Sequence, residues 1–151
     1  MIRIDTAKIS AEQTEINQEE DPALLELNTV DIDFVSPLAV SCKVIRIDDN
    51  LNVNGLFRAK VRFRCSRCVE RFFSQVKGKF NFDYPIKEEI LLDITNDIRE
   101  EVILSYPAVL CCSKNCKGLC IYCGRNLNKG KCSCKVENIS NKFSKLKEWK
   151  G

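Results

Sequence analysis

Cysteine is the residue type with most chemistry to offer, and seven of the ten fall in the 24 residues from Cys111 to Cys134. That stretch reads CCSKNCKGLCIYCGRNLNKGKCSC, with neither strand alternation nor helical period to build an apolar core. A segment so rich in Cys, Lys, Gly and Asn needs a cross-link or a metal to fold. Cys120-Ile-Tyr-Cys123-Gly124 has the form of a zinc knuckle: two thiolates one turn apart, then a glycine that lets backbone N–H groups approach the sulfurs. Cys132-Ser-Cys134 supplies a second pair, Cys112 and Cys116 a looser one, and Cys65-Ser-Arg-Cys68 a distant fourth. Four pairs give the eight thiolates that two tetrahedral Zn²⁺ sites need.

The rest of the composition narrows the chemistry. Met1-Ile-Arg-Ile-Asp5 lacks the apolar core of a signal peptide, and no run approaches the roughly 18 apolar residues of a membrane span. The expected location is therefore cytoplasmic, where thiols stay reduced and Cys-x-x-Cys pairs mean metal more often than disulfide. Ferredoxin spacing is absent. The chain has no histidine, and its carboxylates form no spaced catalytic pair. With the cysteines taken as ligands, no nucleophile is left to nominate, and no enzyme activity is expected. Cys42 falls on the apolar parity of a strand and reads as a buried small hydrophobe.

Charge is segregated along the chain. Residues 1–34 carry net −7, 35–84 net +6, 85–110 net −4 and 111–151 net +8, which together give the formal +3. Two Cys₄ zinc sites would each add about −2, so overall charge says little about partners and its distribution says more.

The elements that must position these residues are mostly strands. At 151 residues the chain is expected to form one domain with a modest core. Ile2 and Ile4 suggest a short strand, and residues 10–22, polar and acidic, read as a loop or arm. Val30, Ile32 and Phe34 alternate with Asp31 and Asp33, and Leu38, Val40, Cys42 and Val44 alternate again.

Between Leu51 and Tyr84 the pattern is clearest. Val53, Phe57, Ala59, Val61 and Phe63 share one parity, and Arg58, Lys60, Arg62 and Arg64 the other. After the first cysteine pair, Phe72, Val76, Phe80, Phe82 and Tyr84 share a face opposite Arg71, Gln75, Lys77 and Lys79. Pairing odd residues of the first strand with even residues of the second joins apolar to apolar and basic to basic, and a one-residue slip does not. The two-residue repeat of ~6.6 Å is close to phosphate spacing along a nucleic-acid strand. Phe73 lies on the basic face and could stack on a base. The plainer reading of such a face is a solvated sheet surface. Likewise, the lysines around the knuckles offset thiolate charge.

Residues 85–92 read as a connection. Ile94, Ile98 and Val102 recur at helical spacing, predicting a helix over 94–105 that starts at Asp93 or Thr95, packs on the apolar face and stops before Pro107. Ile139, Phe143 and Leu146 mark a second helix over 138–150.

In that order, Cys65-Ser-Arg-Cys68-Val69-Glu70, the helical run ending at Pro107, Cys112-Ser-Lys-Asn-Cys116-Lys-Gly-Leu-Cys120-Ile-Tyr-Cys123-Gly and Cys132-Ser-Cys134 together resemble the YceD family of bacterial and plastid proteins. Val69, Leu110-Cys111 and Ile121 depart from the family's usual Leu, Pro-Leu and Pro. The resemblance implies a role in making or stabilising large-subunit ribosomal RNA through RNA or pre-ribosome contact, with ribosomal or assembly proteins as further partners and no membrane or small-molecule substrate. It also implies a division of ligands. Cys65, Cys68, Cys112 and Cys116 would hold one zinc, and Cys120, Cys123, Cys132 and Cys134 a second within the 111–136 module. Proximity argues the same way. A ribbon pairing 65/68 with 120/123 is the alternative. Cys112 rather than Cys111 keeps the family's spacing from Pro107. The whole reads as an α+β protein with a mostly antiparallel, curved sheet, two helices and two Cys₄ zinc knuckle sites. Its expected RNA-binding residues are Arg58, Lys60, Arg62, Arg64, Arg71, Lys77 and Lys79. A zinc-dependent protein-interaction adaptor without RNA contact is the competing function.

Overall fold

A computed structural model describes residues 1–9, 13–86 and 91–134. Its strands are β1 (Arg3–Asp5), β2 (Thr14–Glu20), β3 (Ile32–Phe34), β4 (Leu38–Ile47), β5 (Asn50–Arg64), β6 (Arg71–Pro85) and β7 (Leu91–Asp93), with one helix, α1 (Thr95–Leu104). A single 3-10 turn, Thr6–Lys8, follows β1.

The long β5–β6 hairpin is the frame. β6 pairs antiparallel with β5 along all 15 residues, from Asn50 opposite Pro85 to Arg64 opposite Arg71. Phe63 faces Phe72 and Ala59 faces Val76, so odd residues of β5 meet even residues of β6, as the apolar parity requires. On its other edge β5 pairs first with β4 and then, nearer the tip, with β3. β2 lies outside β4, with Ile16 opposite Cys42. All these ladders are antiparallel.

The inner face buries Val53, Phe57, Ala59, Val61, Phe63, Val76 and Phe80 together with Val40, Cys42 and Val44 of β4. At ~1.5–3 kcal/mol for each large apolar side chain removed from water, this face dominates the stability. Two glycines leave room for neighbouring rings and backbone, Gly78 for Phe57 and Gly55 for Phe80 and Ser41. A Cβ on Gly78 would sit 2.3 Å from the Phe57 ring, and one on Gly55 would sit 2.4 Å from the Ser41 carbonyl oxygen. These close approaches exclude any side chain there.

α1 closes the inner face. Ile98 and Val102 are one turn apart and fully buried, with Ile94 just before the helix. Asp93 Oδ1 accepts from the Thr95 N–H at 3.0 Å, and Thr95 Oγ1 accepts from the Ile2 N–H at 2.9 Å. Tyr84 donates its hydroxyl to the Asp97 carboxylate, joining the helix to the open end of the hairpin. The two-stranded β1–β7 ladder, Ile4 opposite Leu92, carries the chain into α1.

Three sequence expectations change. Residues 14–20 of the acidic segment are not a loop or arm but the edge strand β2, recruited by the free backbone edge of β4. The connection at 85–92 is shorter than expected, because Pro85 still belongs to β6 and Leu91 and Leu92 to β7. Val30 is exposed and lies outside β3. Among the described residues there is one α-helix. The second, expected over 138–150, falls outside them, as do residues 10–12, 135 and 136.

Candidate functional site

The eight paired cysteines converge into two groups. Cys65, Cys68, Cys112 and Cys116 form one, and Cys120, Cys123, Cys132 and Cys134 the other, with the Sγ atoms of each set within 4.8 Å of one another. In the first, Cys65 Sγ lies 3.8 Å from Cys116 Sγ and Cys68 Sγ lies 3.7 Å from Cys112 Sγ. A tetrahedron with metal–sulfur bonds of ~2.3 Å has edges of ~3.8 Å, so the cluster has the dimensions of a closed tetrathiolate site. In the second, Cys132 and Cys120 are 3.4 Å apart. These separations far exceed a disulfide bond of ~2.05 Å, and all ten cysteines are free. The fold therefore groups the cysteine sulfurs in the division that the family resemblance implies and does not bring Cys65 and Cys68 together with Cys120 and Cys123. Cys111 stays outside both groups, and Cys42 lies in the core.

The two Cys-x-x-Cys turns are built alike. The Cys65 N–H donates to Glu70 O and the Val69 N–H to Cys65 O, both at 2.9 Å. In the second turn the Cys120 N–H donates to Arg125 O at 2.8 Å and the Gly124 N–H to Cys120 O at 2.9 Å. Val69 and Gly124 thus hold the same place, and both adopt positive φ, 63° and 70°. Glycine takes that conformation freely, whereas β-branched valine is strained in it.

Backbone donors decide where negative charge settles. Burial pushes the Cys65 thiol up, but hydrogen bonds from the N–H groups of Cys112, Cys68 and Arg67 outweigh it and hold the pKa down to about 6. The Cys112 N–H lies 3.4 Å from Cys65 Sγ. In the second group, the Cys123 and Tyr122 N–H groups bring Cys120 down to about 6. Cys112, beside the Cys116 sulfur, is pushed up to about 12, and Cys134, beside Cys123, likewise. Four thiols alone thus cannot all ionise, because each new thiolate opposes the next. A bound divalent cation removes that conflict, which is why such clusters suit a metal.

The second loop also supports the first cluster. Asn128 Nδ2 donates to Cys116 Sγ at 3.4 Å while its Oδ1 accepts from the Lys117 N–H at 2.8 Å. The Leu119 N–H donates to Arg67 O at 3.1 Å, where Gly118, at φ 74°, passes over that carbonyl. Lys129 pairs with Glu70 at 2.5 Å and holds its carboxyl below the ordinary range. The first cluster pins the hairpin tip to the chain beyond α1, where the Ser66 N–H donates to Leu110 O at 2.7 Å.

The outer face of the hairpin carries the seven expected basic residues, but they fall into two sets. Arg62 pairs with Asp33, Arg64 with Asp31 at 3.6 Å, and Arg71 with Asp33 at 3.9 Å. These three arginines hold β3 and the tip. Arg58, Lys60, Lys77 and Lys79 are exposed and make no ion pair among the described residues. The aspartates were visible in the sequence, but nothing local said that β3 would lie beside the tip of β5.

Across this face opens a cavity of about 850 Å³, which the sequence did not foretell. Asn17 and Glu19 of β2 form one side, Arg58 with Gln75, Lys77 and Lys79 the other, and Ala39, Ser41 and Leu56 the floor. The sheet is therefore concave on its basic face.

Residues 81–150 match the family model described as large ribosomal RNA subunit accumulation protein YceD. Among curated relatives, the chain is 25% identical over 153 residues to the large ribosomal RNA subunit accumulation protein YCED homolog 1, chloroplastic, of Arabidopsis thaliana, covering 74% of this chain and 48% of that protein. It is 26% identical over 148 residues to the protein of the same name from Zea mays, covering 69% and 50%. The chain thus spans about half the length of the curated relatives it matches. No solved structure matches it. The similarity to YceD proteins inferred from the cysteine motifs is borne out.

Proposed function

We propose that this chain is a non-enzymatic, zinc-dependent factor that promotes accumulation of large-subunit ribosomal RNA by binding the RNA or its precursor directly. The names of its relatives support the ribosomal RNA role. Direct contact is supported by one observation above all: four cations with no ion pair among the described residues, Arg58, Lys60, Lys77 and Lys79, stand in adjacent cross-strand rows on one face of the hairpin. Phosphate neutralisation by such residues supplies sequence-independent affinity, and an arginine fork can take two phosphate oxygens.

Closed tetrathiolate sites in a reducing compartment suit zinc, bound as two ions per chain, and the sulfur separations accommodate it. No protein position is left open in either site, so the metal's contribution is to fold the tip and the second loop and not to catalyse. The thiols call for a reducing compartment such as the cytoplasm.

The test is to crosslink the protein to RNA in cells and sequence what is attached. Enrichment of large-subunit ribosomal RNA is expected, and its loss in the triple variant Arg58→Gln, Lys60→Gln, Lys77→Gln with two zinc ions retained. If the triple variant crosslinks as well as wild type, the basic face is only solvated and the protein-adaptor reading takes precedence.

A further inference from the structure

The concave face is more than a charged patch. Resting on the RNA-binding reading above, we propose that the groove between β2 and the β5–β6 hairpin binds single-stranded RNA in preference to duplex. Three observations carry this: where the free charge lies, how wide the groove is, and what its floor is made of.

The free charge lies on one wall only. Arg58 stands directly opposite Lys77, and Lys79 follows one repeat along, beside Leu56. Lys60 opposite Gln75 continues the track toward Phe73, which is 73% exposed. Steps of ~6.8 Å along an antiparallel strand match a backbone that places one phosphate per step. On the far wall Asn17 is neutral, and Glu19 is the one acid among the lining residues. The lining therefore carries three cations against one anion.

The width excludes a duplex from the floor. From β2 to β6 there are three strand spacings, ~14 Å in all. A paired helix would meet this opening with its sugar–phosphate surface and leave the floor empty, because its bases are turned inward and, in A-form RNA, its major groove is too deep and narrow for side chains. A single strand has bases free to enter.

The floor suits bases. Ala39 and Ser41 are small, and Leu56 is about half exposed although it is apolar. An exposed leucine among cations, with Phe73 further along the same face, offers apolar surfaces for base faces while Arg58, Lys77 and Lys79 take phosphates. Gln75, Asn17 and Ser41 offer hydrogen bonds to base edges.

The test uses the full zinc-loaded chain and one labelled 12-nucleotide RNA of mixed sequence, free or annealed to its complement. Fluorescence anisotropy should show the single strand bound at least tenfold more tightly. Ser41→Trp, which fills the floor without changing charge, should weaken single-strand binding tenfold or more. Arg58→Gln, Lys77→Gln, Lys79→Gln should lower the log–log salt slope by about 2, at ~0.7 per single-strand phosphate contact. Far-UV circular dichroism and zinc content verify that each variant is folded. If duplex binds as tightly as single strand and Ser41→Trp has no effect, the groove inference is overturned while direct RNA binding stands. If neither RNA form binds, the RNA-binding reading falls and the groove inference with it.

Discussion

Asn128 belongs by sequence to the loop of the second cysteine cluster, yet its side chain serves the first. Its amide makes three hydrogen bonds, to the Lys117 N–H at 2.8 Å, to Asn126 Oδ1 at 2.9 Å and to Cys116 Sγ at 3.4 Å. The last holds Cys116 below the ordinary thiol range, with the Gly118 N–H adding to it and burial opposing. Asn128→Ala removes all three. Groups that orient a metal ligand typically change affinity by 10–100-fold, or ~1.4–2.7 kcal/mol. The expected result is a loss of that size at the first site, although none of its four ligands has been altered.

The assay is chelator competition in a Cys123→Ser background, where only the first site is intact. Cobalt, with its thiolate charge-transfer band, reports occupancy. Asn128→Asp keeps the acceptor for Lys117 but sets a carboxylate against a thiolate, so it should be worse than Asn128→Ala. In addition, the Cys123→Ser chain should bind its one metal more weakly than the wild-type first site, because the loop that presents Asn128 is no longer held. If Asn128→Ala leaves first-site affinity unchanged, the two centres are independent and Asn128 only shapes its own loop.

Native mass spectrometry should find two zinc ions per wild-type chain. Cys65→Ser and Cys112→Ser should each keep one, and Cys111→Ser and Cys42→Ala should keep both; two metals on Cys112→Ser would assign the wrong member of the adjacent pair. Val69→Gly should raise the denaturant midpoint, because strain of ~1–3 kcal/mol at positive φ exceeds the ~0.5–1 kcal/mol of chain entropy that glycine adds. Gly124→Val should do the reverse, and equal effects of one sign would show that the two turns are not equivalent. Gly78→Ala should destabilise by ~1–3 kcal/mol through its clash with the Phe57 ring, and Phe57→Leu in the same chain should recover part of that loss in a urea titration.

Legibility followed the range of the interaction. The β5–β6 register could be read because ten apolar residues obey one parity and only one pairing buries them all. The helix could be read from Ile94, Ile98 and Val102 alone. β2 could not: TEINQEE offers one apolar residue, Ile16, and as an edge strand it needs no more. Its charges even suit an edge, where they discourage pairing with another chain. The strain at Val69 was invisible because no glycine marks the turn. The pairing of Asp31 and Asp33 with the tip arginines depends on β3 meeting β5 across about 30 residues, and such a contact leaves no local signature.

These distant contacts give the segregated charge of the sequence a spatial use. Of the acidic first 34 residues, Asp31 and Asp33 neutralise the hairpin tip and Glu15 pairs with Lys43 at 3.1 Å, while Glu19 projects from β2 into the groove. β2 lies two strand spacings, ~10 Å, from β5, just beyond a Debye length of ~8 Å at physiological salt. Glu19 is therefore felt weakly at Arg58 but strongly by any phosphate that strays toward β2. A polyanion entering the groove is held to the β5–β6 wall from one side by Arg58, Lys77 and Lys79 and turned back from the other by Glu19. The tip arginines, already paired, do not compete for it. The seven basic residues of the hairpin's outer face thus act as two devices, three that fix the fold and four that make no ion pair among the described residues, and the four are set apart by where the acidic segment places its carboxylates.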